Sequence, residues 1–359
     1  MAESGSMAGA GIATGSRIAL ALGGGGARGY AHIGVIRELQ QRGHQVVAVS
    51  GTSMGAVIGG LHCAGRMEAY ADWVTSLSQR DVLRLMDPSI KAPGVIRAEK
   101  VMGRVAALLD GARIEDLPIP YTAVATDLVA QREVWFQQGL LVTAMRASVA
   151  IPSLIAPVVV DGRLLADGGL MNNLPIAPLT PIRSDLVIAV SLSGARQGPG
   201  PSPRGLTGPE ERFERVRRVV GQLRDQDMVR AVAARLGVGT DAHDRGQPVE
   251  HDESIDHADS HADASSRAGA HEAWIPTGLR TREVIELSIQ TMQRLITRYR
   301  LSAYPPDVLI EVPVDACGTF EFHRASELIA LGRELASRAL DAHPGATRAH
   351  ESQGPVVSA

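Results

Sequence analysis

The chain has 359 residues, 45% of them hydrophobic, with 38 Gly and a formal net charge of −3 at pH 7. That length can bury one large core or two modest ones, and the charge balance lacks the basic surplus of a polyanion-binding protein. No zinc-ligand or nucleic-acid motif occurs, so nucleic acid is excluded as the main partner, and with only Cys63 and Cys317 a disulfide framework is excluded too. A reducing cytoplasm is the expected setting.

Residues 1–16 lack a basic n-region, and the apolar run Ile18 to Leu22 is too short for a signal-peptide core or a membrane span. The expectation is a disordered leader followed by a buried strand, Arg17 to Leu22. This strand runs into Gly23-Gly24-Gly25-Gly26-Ala27-Arg28-Gly29, and a helix follows to about Arg42, with Ile33, Ile36 and Leu39 on one face and Gly43 as its stop. Gly24-x-Gly26-x-x-Gly29 matches the dinucleotide fingerprint, which requires an acidic residue about 20 positions further on. Between Glu38 and Glu68 there is no Asp or Glu, so the nicotinamide or flavin reading fails. Three readings of the glycine run stay open: backbone N–H groups aimed at a developing oxyanion, a phosphate-cradling turn, or a plain tight connection.

The second apolar run, Val46-Val47-Ala48-Val49, leads into Gly51-Thr52-Ser53-Met54-Gly55 and then Ala56-Val57-Ile58. A strand, a sharp turn and a helix start with serine at the apex is the context of a nucleophile elbow. Gly51 and Gly55 remove the Cβ atoms that so tight a turn would crowd, and the helix N-terminus favours negative charge beside Ser53.

From Met67 to Asp110 the pattern is helical, with Tyr70, Trp73, Val74 and Leu77 on one face, a break at Pro88 to Gly94, and a second helix carrying Val101, Val105 and Leu108. These positions read as core and carry no assigned chemistry. Ile119 to Thr126 and Glu133 to Phe136 read as strands, and Gly139 to Ala147 as a short helix ended by Pro152. Pro157 to Val160 pairs with Arg163 to Ala166 across Asp161-Gly162, a two-residue hairpin turn. Asp167-Gly168-Gly169 ends the second arm, and Asp167 is either a turn former or a carboxylate held at a strand end. Asp185 to Ser191 is the next strand.

Composition changes after Gly194. Residues 195–276 form an expected insertion with an amphipathic helix over 211–236 and a His/Asp-rich tract, His243 to Glu272, expected to be disordered. His251, His257, His261 and His271 could gather a metal adventitiously, and no specific metal site is predicted. The arginines beside Phe213, Val216, Val220 and Leu223 fit either a peripheral contact with an anionic membrane or a core-packed helix with solvated charges. Arg280 to Arg300 is a helix, Val308 to Val312 a strand, and Ala325 to Leu340 a closing helix before the polar tail at 343–359. The expected principal domain is therefore 17–194 with 277–342.

A serine nucleophile needs a base. The late histidines lie in the polar tract or, like His323, in a loop, while His32, His44 and His62 read as helix-surface or core contacts. Asp167 is the strongest unassigned polar residue at a strand end, which suggests a carboxylate acting directly on Ser53. Together Gly24 to Gly29, Gly51 to Gly55, Arg146-Ala147-Ser148-Val149-Ala150-Ile151-Pro152 and Asp167-Gly168-Gly169-Leu170-Met171-Asn172-Asn173-Leu174-Pro175 resemble the patatin-like phospholipases, and within them the bacterial branch related to neuropathy target esterase. The resemblance implies a three-layer α/β/α sandwich with a mostly parallel central sheet and a Ser53–Asp167 dyad. It also implies an oxyanion hole from the amides of Gly24, Gly25 and Gly26 with Arg28 beside it, and no metal or organic cofactor. The implied activity is carboxylic ester hydrolysis on lipids, of phospholipase A or lysophospholipase type. The alternative is a non-catalytic protein of the same fold that binds a membrane or a protein partner.

Overall fold

The computed structural model describes residues 15–85, 98–152, 155–197 and 281–343. Most of the expected leader, the Pro88 to Gly94 break, the insertion with its arginine helix and His/Asp tract, and the polar tail lie outside the described residues. Residues 281–283 apart, the described residues belong to one compact unit, Met1–Gly198 with Val284–Ala359.

Eight strands form one sheet: β1 (Arg17–Leu22), β2 (Gln45–Thr52), β3 (Tyr121–Asp127), β4 (Arg132–Phe136), β5 (Val158–Val160), β6 (Arg163–Asp167), β7 (Leu186–Gly194) and β8 (Val308–Pro313). Their order is β5-β6-β3-β2-β1-β7-β8, with β4 on the free edge of β3. The five strands β3, β2, β1, β7 and β8 run parallel, while β4 and β6 are antiparallel to β3. The helices are α1 (Ala31–Gln41), α2 (Met54–Cys63), α3 (Met67–Thr75), α4 (Gln79–Leu85), α5 (Glu99–Leu109), α6 (Leu141–Ser148), α7 (Thr281–Ala303) and α8 (Ala325–Ala342). The stretch that reads as two helices before Asp110 contains three. Ser78 and Asp81 exchange hydrogen bonds at the start of α4, a reciprocal cap that restarts the helix after α3.

Alternation in β1 decides the layering. Ile18, Leu20 and Leu22 enter the main core with α1, α2, α3, α5 and α8. Ala19 and Ala21, with Ala48 and Ala189, make the opposite face shallow, so Leu174, Ile176 and Leu179 lie directly on it beside Leu301 of α7. The result is the α/β/α sandwich with a mixed, mostly parallel sheet.

Topology places two loops together. From β1 the chain steps to β2 and then β3 in one direction, and from β7 to β8 in the other, so the order reverses between β1 and β7. The turns leaving β1 and β2 therefore open at the carboxyl ends of strands beside a topological switch, where open α/β sheets bind ligands. A second feature brings the distant aspartate there. β4 occupies one edge of β3 along Ala123 to Asp127, so β2 and β6 must share the other edge end to end. Thr52, the last residue of β2, pairs with Val124, and Asp167, the last of β6, pairs with Ala125. Adjacent residues of β3 thus seat Ser53 and Asp167 side by side.

α1 and α8 meet backbone to backbone. A Cβ added at Gly332 would lie 2.0 Å from the Ala31 carbonyl oxygen, and one at Gly34 would lie 2.0 Å from that of Ile329. Gly→Ala in an exposed helix stabilises by about 1 kcal/mol. At this crossing the sign reverses: Gly332→Ala is expected to destabilise by about 1–3 kcal/mol through overpacking, read as a lowered urea midpoint. An unchanged or raised midpoint would show that the helices do not approach this closely.

Candidate active site

Ser53 sits in a turn held under strain. Its φ of 56° and ψ of −125° lie in a region that residues with a side chain rarely adopt. The turn closes because Gly51 and Gly55 lack side chains: a Cβ on Gly51 would lie 2.5 Å from the Gly55 backbone, and one on Gly55 would lie 2.1 Å from the Leu22 carbonyl oxygen. Buried Ser148 braces the apex. Its Oγ accepts the Ser53 N–H at 2.8 Å and donates to the Val124 carbonyl at 2.6 Å, tying the turn to β3. Val57 N–H donates to the Ser53 carbonyl at 3.1 Å, so α2 begins at the serine and presents its positive end there.

Asp167 does both things that its sequence context allows. One carboxylate oxygen accepts the Gly169 N–H at 2.7 Å and caps a turn of 3-10 helix, and the Ser53 side chain lies beside the carboxylate and favours its charged form. Burial pushes its carboxyl up to about 6, and the nearby Ser53 side chain and the Gly169 N–H pull the other way without cancelling it. No described histidine hydrogen-bonds to either residue. The loop after Asp167 is stitched across β2, with Ser50 donating to the Pro175 carbonyl and Thr52 Oγ1 to that of Asn172 at 2.8 Å. Its outer side is held by Arg300 of α7, which pairs with Glu133 and donates to the Met171 carbonyl at 3.1 Å, while Asn172 Nδ2 donates to Glu133 at 2.9 Å.

The glycine loop faces the serine, and its donors are divided. Gly23 N–H donates to Val190 at 2.9 Å and Gly24 N–H to the Asn173 carbonyl at 3.0 Å, while Asn173 Nδ2 donates back to the Gly24 carbonyl at 3.2 Å. This corrects the expected hole: the Gly24 amide is spent and serves the scaffold. Arg28 is likewise neither a donor beside Ser53 nor a solvated charge. It is buried, and its guanidinium donates to the carbonyls of Leu192, Val314 and Cys317 at 3.1, 3.0 and 3.2 Å, clamping the loop to the ends of β7 and β8. No described acceptor takes the Gly25 or Gly26 amide, so these two are the donors left for an oxyanion. Gly24 lies against the serine, where an added Cβ would come within 3.0 Å of Ser53 Cβ.

His32 supports the loop from below. Its Nε2 lies 2.8 Å from the Gly23 carbonyl oxygen, which fixes the tautomer as Nε2–H, and burial pulls the imidazole down to about 4. The ring is therefore neutral. Sequence reasoning misses the positioning roles of His32, Ser148 and Asn173. Ser148 and Asn173 stand inside the family motifs, which is the signal that could have found them, whereas His32 reads as an ordinary helix residue.

An apolar cavity of about 120 Å³ opens at Ser53 and Gly26. Its walls include Val57, Tyr70, Trp73, Val101, Val105 and Phe322, and its few polar neighbours are Ser53, Thr319 and two phenols. The helical positions expected to be plain core thus line a chamber beside the serine. Among the described residues no group of three or more His, Cys, Asp or Glu is placed to hold a metal ion.

A sequence model of the patatin-like phospholipases matches residues 20–180. An NTE family protein of Mycobacterium tuberculosis is 47% identical over 332 residues, covering 91% of this chain and 92% of its own length. Human patatin-like phospholipase domain-containing protein 6 is 35% identical over 189 residues, 50% of this chain and 14% of that protein. Lysophospholipase nte1 of Emericella nidulans is 31% identical over 204 residues, covering 54% and 13% respectively. The chain belongs to the NTE family of patatin-like phospholipases.

Because Asp167 binds its proton more tightly in the folded chain than an ordinary carboxyl does, its contribution to stability is complete below about pH 4 and is lost as pH rises through about 6. Asp167→Asn removes that buried charge. The variant is expected to unfold at higher temperature than the wild type at pH 8, by the equivalent of roughly 2–3 kcal/mol, with the gap closing below about pH 4. Equal melting temperatures at both pH values would show that the carboxylate is not buried as described.

Proposed function

We propose that the protein hydrolyses acyl esters of lipids, as a phospholipase A or lysophospholipase, through Ser53 and Asp167. The observation that carries the reading is the seating of Ser53, in strained backbone, beside the buried carboxylate of Asp167 at the head of an apolar cavity. As Ser53 Oγ attacks the ester carbonyl carbon, Asp167 takes its proton, and the oxyanion accepts hydrogen bonds from Gly25 and Gly26. Collapse breaks the ester C–O bond, and Asp167 returns the proton to the departing alcohol. Water then attacks the acyl-serine, giving a proton to Asp167, and the fatty acid leaves as Ser53 regains its hydrogen. A carboxyl raised to about 6 is a better base than an ordinary aspartate and is still ionised near neutrality.

The acyl chain occupies the apolar cavity, whose walls offer little to solvate a head group. Sequence similarity to a protein named a lysophospholipase supports a lipid substrate. A purely binding role accounts less well for the site, since it gives no reason to hold a serine in strained backbone against a buried carboxylate.

The test is hydrolysis of lysophosphatidylcholine and of p-nitrophenyl esters of increasing chain length. Ser53→Ala and Asp167→Asn are each expected to lower turnover about a thousandfold or more with an unchanged circular dichroism spectrum. Activity persisting in either variant would remove that residue from the reaction. Val101→Trp, which narrows the cavity, is expected to lower kcat/KM for long-chain esters about tenfold while sparing the shortest. Equal loss at every length would place the acyl chain elsewhere.

A further inference from the structure

We infer that the paired hairpin tips beyond Ser53 form a docking surface for an anionic lipid membrane. The inference rests on the lipid-substrate reading above and names the surface that would bring the site to its substrate. β3 outruns β2, and two turns stand past its end: the one joining β3 to β4, and Asp161-Gly162 joining β5 to β6. Leu128 N–H donates to the Leu164 carbonyl, so Leu164 is level with Leu128, four residues past Val124, where β2 ends. At the rise of an extended strand this puts it on the order of 10 Å beyond the level of the serine turn.

Register sets which side chains share a face. Trp135 pairs with Val124, Ala166 with Thr126 and Val159 with Leu164, so Trp135, Leu164 and Val159 project from one side of the sheet. Their neighbours on the other side, Val134 and Leu165, are buried in a small core. The first three are not: Val159 is 70% exposed, Trp135 44% and Leu164 37%, with Val129 at the turn 78% exposed. Val129, Val159 and Leu164 at two adjoining tips, with Trp135 set back at the level of Val124, expose apolar surface that a monomer in water has reason to cover.

The charges beside the patch indicate what covers it. Arg132 and Arg163 are exposed at the tips and form no ion pair among the described residues. Of the nearby acids, Asp127 is buried and spends one oxygen on the Val129 and Ala130 amides at 3.1 and 2.9 Å, and Glu133 is held by Arg300 and Asn172. Only the exposed turn residue Asp161 offsets the two guanidinium groups. Apolar tips, an interfacial tryptophan and flanking arginines match the boundary between acyl chains and anionic head groups. The tips are also stiff, because Asp127 closes one turn and Asp161 and Gly162, with φ of 49° and 73°, form the other. The tips rise past the carboxyl ends of the parallel strands, the end of the sheet at which Ser53 sits.

The experiment uses the full chain with vesicles of phosphatidylcholine, alone or mixed with phosphatidylglycerol. The wild type is expected to sediment with the mixed vesicles, with a blue shift of tryptophan emission that Trp135→Phe removes. Val159→Ser with Leu164→Ser is expected to weaken sedimentation about tenfold or more and to slow hydrolysis of vesicle-borne lysophosphatidylcholine. Turnover of the water-soluble p-nitrophenyl butyrate should stay unchanged. Arg132→Gln with Arg163→Gln should abolish the preference for phosphatidylglycerol. A wild type that ignores vesicles, or a Val159→Ser, Leu164→Ser protein that binds them as well as the wild type, would overturn the inference. Loss of vesicle binding in that variant, with no ester cleaved even by the wild type, would uphold the surface and refute the hydrolase reading.

Discussion

A hydroxyl resting against a buried carboxylate is the contact on which the rest of this structure turns. Neither partner is comfortable: Ser53 has a backbone conformation that disfavours any side chain, and Asp167 is a carboxyl removed from water. The fold imposes the pairing through one edge of β3, which β2 and β6 occupy in succession, so the ends of two strands meet at neighbouring residues. That geometry is covalently remote and sterically local. It depends on pairing register, which a one-residue slip would reverse.

Around that contact the structure commits several polar groups to holding loops still. Asn173 joins the glycine loop to the aspartate loop through its carbonyl and its amide, His32 fixes Gly23 from beneath, and Arg28 gathers three carbonyls from the far ends of β7 and β8. Each ties down a loop that borders the site. What remains is a pair of amides, at Gly25 and Gly26, and an apolar chamber. In the proposed reaction the pre-set amides matter more than any movement, since donors already aimed at the oxyanion need no reorganisation as charge develops.

Much of the architecture is legible because it is written locally. The alternation of large and small residues in Ile18 to Leu22, the glycines bracketing Ser53 and the Asp161-Gly162 turn each state their own conformation. Other features are not local, and the sequence misleads. Arg28 reads as a functional cation because its partners, Leu192, Val314 and Cys317, lie far along the chain, and Gly24 reads as a donor because nothing near it announces Asn173. Apolar positions such as Tyr70, Trp73 and Val101 look the same whether they face a packed core or a cavity. The break before α4 does have a local signal, the Ser78 and Asp81 cap, but a long helical pattern hides it.

The central claim is that Asp167 takes the proton of Ser53 as the serine attacks, and the rate at which a fluorophosphonate labels the serine reads this without regard to substrate. The predicted labelling rate rises with pH along a single titration near 6 and is lost in Asp167→Asn. Labelling that persists undiminished in Asp167→Asn, or that follows an imidazole in its place, would contradict it.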